Sequence, residues 1–128
     1  MSVFSLVDFF PRFLRSRKRE AALKLAANWP VLTAKLLTSI VVPKDIAAEE
    51  GSVLQAMQVE SAYYFTLDGN YYGGHARSIP LSDSEAHRLV PQLAEDTPIQ
   101  IRYNPQNPDE THTFATDNPG FPYVIWPM

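Results

Sequence analysis

The chain has no cysteine, which excludes disulfides and zinc–thiolate centres and leaves the compartment open. No apolar run approaches the roughly 20 residues that a membrane-spanning helix needs. Leu36 to Pro43 is uncharged but short. A secretory leader is not expected, because Ser2-Val3-Phe4 follows no basic n-region and the positive charges come after the apolar stretch. Glycine is scarce, and Gly69, Gly73 and Gly74 fall between strand-like segments rather than before a helix, so they form no phosphate loop. No Gly-x-Ser-x-Gly elbow is present. His75, His87 and His112 are the only histidines, and no two have a metal-ligand spacing.

Basic charge is also scarce beyond residue 28. Residues 1–28 hold Arg12, Arg15, Arg17, Lys18, Arg19 and Lys24 against Asp8 and Glu20, a local charge of +4. The remainder carries five basic and twelve acidic residues, a local charge of −7. An acidic body argues against nucleic-acid binding, which needs a basic face.

What is present is one domain's length, 128 residues, with ordinary apolar content and eleven prolines gathered at segment borders. The expected organisation is a basic amphipathic helical segment over 1–28 and an antiparallel β domain over 29–128. Val3, Leu6, Val7, Phe10, Phe13 and Leu14 share one helical face. Pro11 either kinks that helix or marks where a second one starts. Asn28-Trp29-Pro30 ends it.

Val31–Val42 is β-branched and reads as the first strand, closed by Pro43. Lys44–Ser52 reads as an acidic loop. Val53–Leu67 alternates, with Val53, Met57, Val59, Tyr63, Phe65 and Leu67 on one face. Asp68-Gly69 or Gly69-Asn70 supplies a tight turn needing positive φ, and Tyr71–Ile79 returns. With Asp68-Gly69 as the loop, Phe65 faces Tyr72, Ala62 faces His75 and Glu60 faces Arg77. A bulge at Gly73-Gly74 would shift that register by one.

Ser82-Asp83-Ser84-Glu85 is a capping box that opens a helix over 82–94, which Pro91 kinks or shortens. Ile99, Ile101 and Tyr103 alternate as a further strand. Asn104–Asp109 reads as a turn held by side-chain-to-backbone hydrogen bonds, and Thr111–Thr116 as the last strand. The fold class expected is α+β: an antiparallel sheet of about five strands, curled into a small open barrel, with an N-terminal helix and one helix between the hairpin and the fourth strand.

Trp29-Pro30, the hairpin Tyr64-Phe65-Thr66-Leu67-Asp68-Gly69 with Tyr71-Tyr72-Gly73-Gly74, and the strand end Ile101-Arg102-Tyr103-Asn104-Pro105-Gln106-Asn107-Pro108 occur in an order that resembles bacterial domain of unknown function 3592. The resemblance spans roughly Trp29 to Ala115. It implies a small β domain, often attached to transmembrane helices, with no agreed activity and no catalytic residues to carry over. Two departures stand out: spanning helices are missing, and the Gly-x-x-Val approach to the last motif is Glu95-Asp96-Thr97-Pro98-Ile99 here.

The expected function is therefore non-enzymatic binding, with no cofactor or metal and a cytoplasmic location. The candidate partner surface is Tyr64, Tyr71 and His75 on the outer hairpin face, unless the N-terminal helix covers it. The candidate lipid contacts are Arg15, Arg17, Lys18 and Arg19, if the N-terminal segment anchors at the inner face of a membrane rather than docking on the sheet. The alternative is a soluble interaction or inhibitor module that presents its acids (Asp45, Glu49, Glu50, Glu95, Asp96, Asp109, Glu110) to a basic partner. A small enzyme using His75 or His112 is the least favoured reading.

Overall fold

The computed structural model describes residues 21, 23–47 and 53–126. Most of them belong to one six-stranded antiparallel sheet: β1 (Val31–Ala47), β2 (Val53–Leu67), β3 (Asn70–Ser78), β4 (Pro98–Asn104), β5 (Asn107–His112) and β6 (Ile125–Trp126). The strand order is β5-β4-β1-β2-β3-β6. A short helix, α1 (Asp83–Leu89), and two 3₁₀ turns, Val90–Gln92 and Ala115–Asp117, complete the regular structure. Upstream of β1, residues 23–26 are helical, and the chain leaves that helix at Asn28-Trp29 as Pro30 requires. The rest of the 1–28 segment lies outside the described residues.

The hairpin follows the alternation. Asp68 (φ 51°) and Gly69 (φ 82°) form the two-residue primed turn, and Phe65 pairs with Tyr72, Ala62 with His75 and Glu60 with Arg77. Register is continuous through Gly73-Gly74, so no bulge lies there. Arg77 Nε sits 3.3 Å from Glu60 Oε2 across the strands.

β1 departs from expectation in two ways. A bulge at Leu37 resets its alternation: Ala34 and Leu36 point inward before it, Ser39 and Val41 after it. The strand also runs through Pro43 to Ala47. Met57, opposite Pro43, gives both its N–H and its C=O to Leu81 on the far side of β2. Pro43 therefore occupies a non-hydrogen-bonded pair, and its donor-less nitrogen faces the open edge, where nothing is lost.

α1 begins at the Ser82 N-cap as expected, while the Glu85 carboxylate reaches back to the Ser82 hydroxyl rather than to its backbone amide. Ser82 Oγ accepts from the Glu85 amide at 3.2 Å and donates to the Glu85 carboxylate at 2.9 Å. The helix is shorter than 82–94, because Pro91 converts its continuation into the 3₁₀ turn Val90–Gln92. The expected turn over Asn104–Asp109 contracts to Pro105-Gln106, with the Gln106 amide donating to Asn104 Oδ1, and β5 starts at Asn107 rather than Thr111. Pro108 is accommodated because β5 is an edge strand.

The inner sheet face holds the core: Ala34, Leu36, Val59, Tyr63, Phe65, Ala76, Ile99, Ile101 and Ile125, capped by Ala86 of α1, Leu93 and Tyr123. Each large side chain buried in this way contributes about 1.5–3 kcal/mol. Three hydroxyls share the interior in a closed group: Ser39 Oγ lies 2.7 Å from Ser61 Oγ, which accepts from Tyr123 at 3.1 Å. Burial pushes the Tyr123 phenol up to about 12 despite that bond.

The sheet is not closed into a barrel, since β5 and β6 form its two unpaired edges. β5 nonetheless lies against β3. The Tyr63 hydroxyl meets Thr111 Oγ1 at 2.5 Å, and a Cβ on Gly74 would come within 2.6 Å of the same oxygen. The edges approach without exchanging backbone hydrogen bonds.

Candidate functional site

Two surfaces follow from this frame. The first is the outer face of the hairpin. Tyr64 and Tyr71 stand side by side there, their ring centroids 6.5 Å apart and tilted by 39°. Thr33, Lys35 and Thr66 complete a shallow hollow of about 200 Å³ around them. Tyr71 is 77% exposed. The Tyr64 hydroxyl donates to Asp96 Oδ1 at 3.0 Å. That bond, and the charges of Asp96 and neighbouring Glu95, hold the phenol above its ordinary pKa. His75 lies farther along the strand. It is exposed beside Thr38, Ile40, Glu60 and Ala62 in a separate hollow. Tyr64 and Tyr71 thus come together and His75 does not join them.

Asp96 reaches Tyr64 because its backbone is left-handed (φ 67°). It stands three residues before Ile99, the place that glycine holds in the Gly-x-x-Val pattern noted above. Glycine adopts that conformation freely, and aspartate is among the few other residues that tolerate it. Aspartate at this position places a carboxylate on the tyrosine face.

The second surface is a cleft of about 320 Å³ where β3, the end of β5 and β6 converge. His75, Arg77, Thr111, His112, Thr113 and Trp126 line it, with Leu23 from the N-terminal helix. His112 is half-buried, and the Trp29 ring lies 5.7 Å from its own. Burial pushes the His112 pKa down, and Glu110 partly offsets this. Lys44 Nζ sits 5.0 Å from the Trp126 ring. The sequence places His75 and His112 far apart, and only the approach of β5 to β3 puts them on one cleft. His87 is elsewhere, on α1, with its Nδ1 2.8 Å from the Asp83 carbonyl. Among the described residues no group of three or more His, Asp or Glu is placed to hold a metal ion. Arg15, Arg17, Lys18 and Arg19 lie outside the described residues.

The family model for domain of unknown function 3592 (DUF3592) matches residues 41–116, more than half of the chain. The chain belongs to the DUF3592 family. No curated protein and no solved structure matches it. The matched DUF3592 segment contains the end of β1 from Val41 on, the tyrosine hairpin, α1 and the β4–β5 hairpin. Trp29-Pro30 precedes it. Both candidate surfaces are built mainly from DUF3592 residues, the tyrosine face with Thr33 and Lys35 from outside, the cleft with Leu23 and Trp126.

Proposed function

We propose that this DUF3592 domain works by binding, without catalysis, and that its tyrosine face takes a lysine- or arginine-bearing polypeptide segment. The observation that carries the reading is the exposed Tyr71 ring beside Tyr64, whose hydroxyl is fixed by the Asp96 carboxylate. An aromatic face attracts a cation at close range, and neighbouring carboxylates strengthen that attraction. Among the described residues Lys35 is the one opposing charge in the hollow. The acidic character of residues 29–128 extends the same preference over the body of the domain.

A peptide titration followed by backbone amide NMR tests this. A tetra-arginine peptide is expected to shift the amides of residues 64–72 and 95–97 saturably, with affinity falling as salt is raised. Tetra-glutamate should leave them unmoved. Tyr71→Ala is expected to weaken binding by roughly 2- to 5-fold, the range that about 0.5–1 kcal/mol of exposed cation–π attraction corresponds to. Asp96→Asn keeps the left-handed backbone and an acceptor for Tyr64, and should weaken binding through lost charge alone. A tetra-arginine response that both variants leave intact would sink the reading.

A second reading concerns the basic stretch Arg15, Arg17, Lys18 and Arg19. Its charge opposes that of the body, which motivates contact with anionic lipid at the inner face of a membrane, the domain itself being cytoplasmic. The acids beside Tyr64 and Tyr71 would repel such a lipid, so the two readings use different surfaces. Co-sedimentation with vesicles, with and without anionic lipid, separates them. Salt-sensitive binding lost on changing all four residues to glutamine supports the lipid role, and binding unaffected by either removes it.

A further inference from the structure

The cleft between β3 and β5 is chemically unlike the tyrosine face. Among the described residues none that lines it is a carboxylate, and its polar groups are mainly histidine, arginine and threonine side chains. Arg77 is 53% exposed, and its Nε lies 3.3 Å from Glu60 Oε2. Its terminal nitrogens make no hydrogen bond among the described residues. A guanidinium used in this way still presents donors in a fork that fits a carboxylate. Thr113 adds a hydroxyl, that of Thr111 being engaged by Tyr63, and Trp126 and Leu23 add an aromatic and an apolar surface.

From this arrangement we infer that the cleft is a binding site for a small monocarboxylate with a compact apolar body. The carboxylate faces Arg77 and the Thr113 hydroxyl, and the apolar body lies against Trp126 and Leu23. The available positive charge decides between a singly and a doubly charged head. Glu60 already shares Arg77, and burial disfavours the charged form of His112. Within the lining, one partly neutralised guanidinium suits a monoanion better than a phosphate dianion, Lys44 lying against the Trp126 ring and outside the lining. The volume of about 320 Å³ lies at the small end of ligand-binding cavities. This inference is independent of the tyrosine-face reading, since the two surfaces take opposite charges.

Acidification strengthens the site. The groups that face it are His75 and Arg77 on β3, His112 with Glu110 on β5, Glu60 on β2, and Lys44 on β1 beside Trp126. Protonating His112 adds positive charge at the cleft, so affinity rises as pH falls from neutral while the ligand remains ionised.

The test is an NMR titration of the full chain with benzoate at fixed ionic strength, run in parallel with inorganic phosphate and with benzamidine. Benzoate is expected to shift the amides of 75–77 and 111–113 saturably, more tightly at pH 6 than at pH 7.5. Arg77→Gln should weaken it about tenfold, as loss of a charge-assisted contact does. Thr113→Val, which leaves every ion pair in place, should weaken it several-fold. Tighter binding of phosphate would overturn the monocarboxylate assignment. Equal shifts from benzamidine, or benzoate affinity unchanged in both variants, would overturn the site.

Discussion

Replacing Gly74 by alanine is expected to lower stability by roughly 2–3 kcal/mol, the cost of overpacking a filled interior. A Cβ there would collide with the Tyr63 hydroxyl, come within 2.7 Å of Tyr63 Cζ and lie 2.6 Å from Thr111 Oγ1. Tyr63 is almost fully buried, so its ring has little room to give way. For a domain of this size the shift in Tm is on the order of 10 °C by thermal denaturation. A double-mutant cycle identifies the cause. In a Tyr63→Leu background the Tyr63 hydroxyl and Cζ are gone and the Thr111 Oγ1 contact remains, so Gly74→Ala should then cost less. Equal costs in the two backgrounds would show that the collision is not the reason.

The second large effect is expected at Arg102. Its Nε and Nη2 donate to the two Asp117 oxygens at 2.7 and 2.9 Å, Nη1 donates to the Ala27 carbonyl, and its guanidinium lies 5.2 Å from the Phe114 ring. One side chain thus fastens β4, the 3₁₀ turn at Ala115–Asp117 and the end of the N-terminal helix. The pair is mostly shielded, with side-chain exposures of 22% and 15%. Arg102→Ala should cost about 2–3 kcal/mol in urea unfolding at pH 7, since charge-assisted hydrogen bonds are lost and a shielded carboxylate is left alone. Arg102→Lys should recover less than half, because an ammonium cannot reproduce the fork.

The same pair carries a pH signature. The hydrogen bond from Arg102 holds the Asp117 carboxyl below its ordinary value of 3.8, against an opposing push from burial. A depressed carboxyl contributes stability that is full above the unfolded value and is lost as pH falls through the folded one. The gap between the parent chain and Arg102→Ala should therefore be largest at neutral pH and shrink below about pH 4. A gap that stays constant down to pH 2 would contradict the pairing.

The parts of the fold legible in the sequence are those fixed by neighbours in the chain. Alternation along Val53–Leu67, the Asp68-Gly69 turn and the Glu60–Arg77 pair set the hairpin register, and the Ser82–Glu85 box sets the start of α1. What was not legible depends on which side of a strand is free. Pro43 and Pro108 look like breakers by composition, yet both lie in strands, because one turns its nitrogen to an open edge and the other belongs to an edge strand. β6 escaped notice because two residues carry no period.

The candidate site divides along the same line. Tyr64 and Tyr71 could be placed on one outer face by counting along the hairpin. The cleft could not, because His75 and His112 meet only where Gly74 lets β5 settle on β3. The one local hint is the lack of any side chain at Gly74, which by sequence suggests a β-bulge rather than close packing.

The Leu37 bulge has a consequence for how chain length can vary. β1 is read in two frames, with even-numbered residues inward up to Leu36 and odd-numbered residues inward from Ser39. A single-residue insertion or deletion elsewhere in this strand would turn one half of it inside out. At Leu37 the surplus residue is already absorbed on the surface. Length differences of one residue between related chains therefore belong at this point, and an ungapped comparison across it would set the core of one against the solvent face of the other.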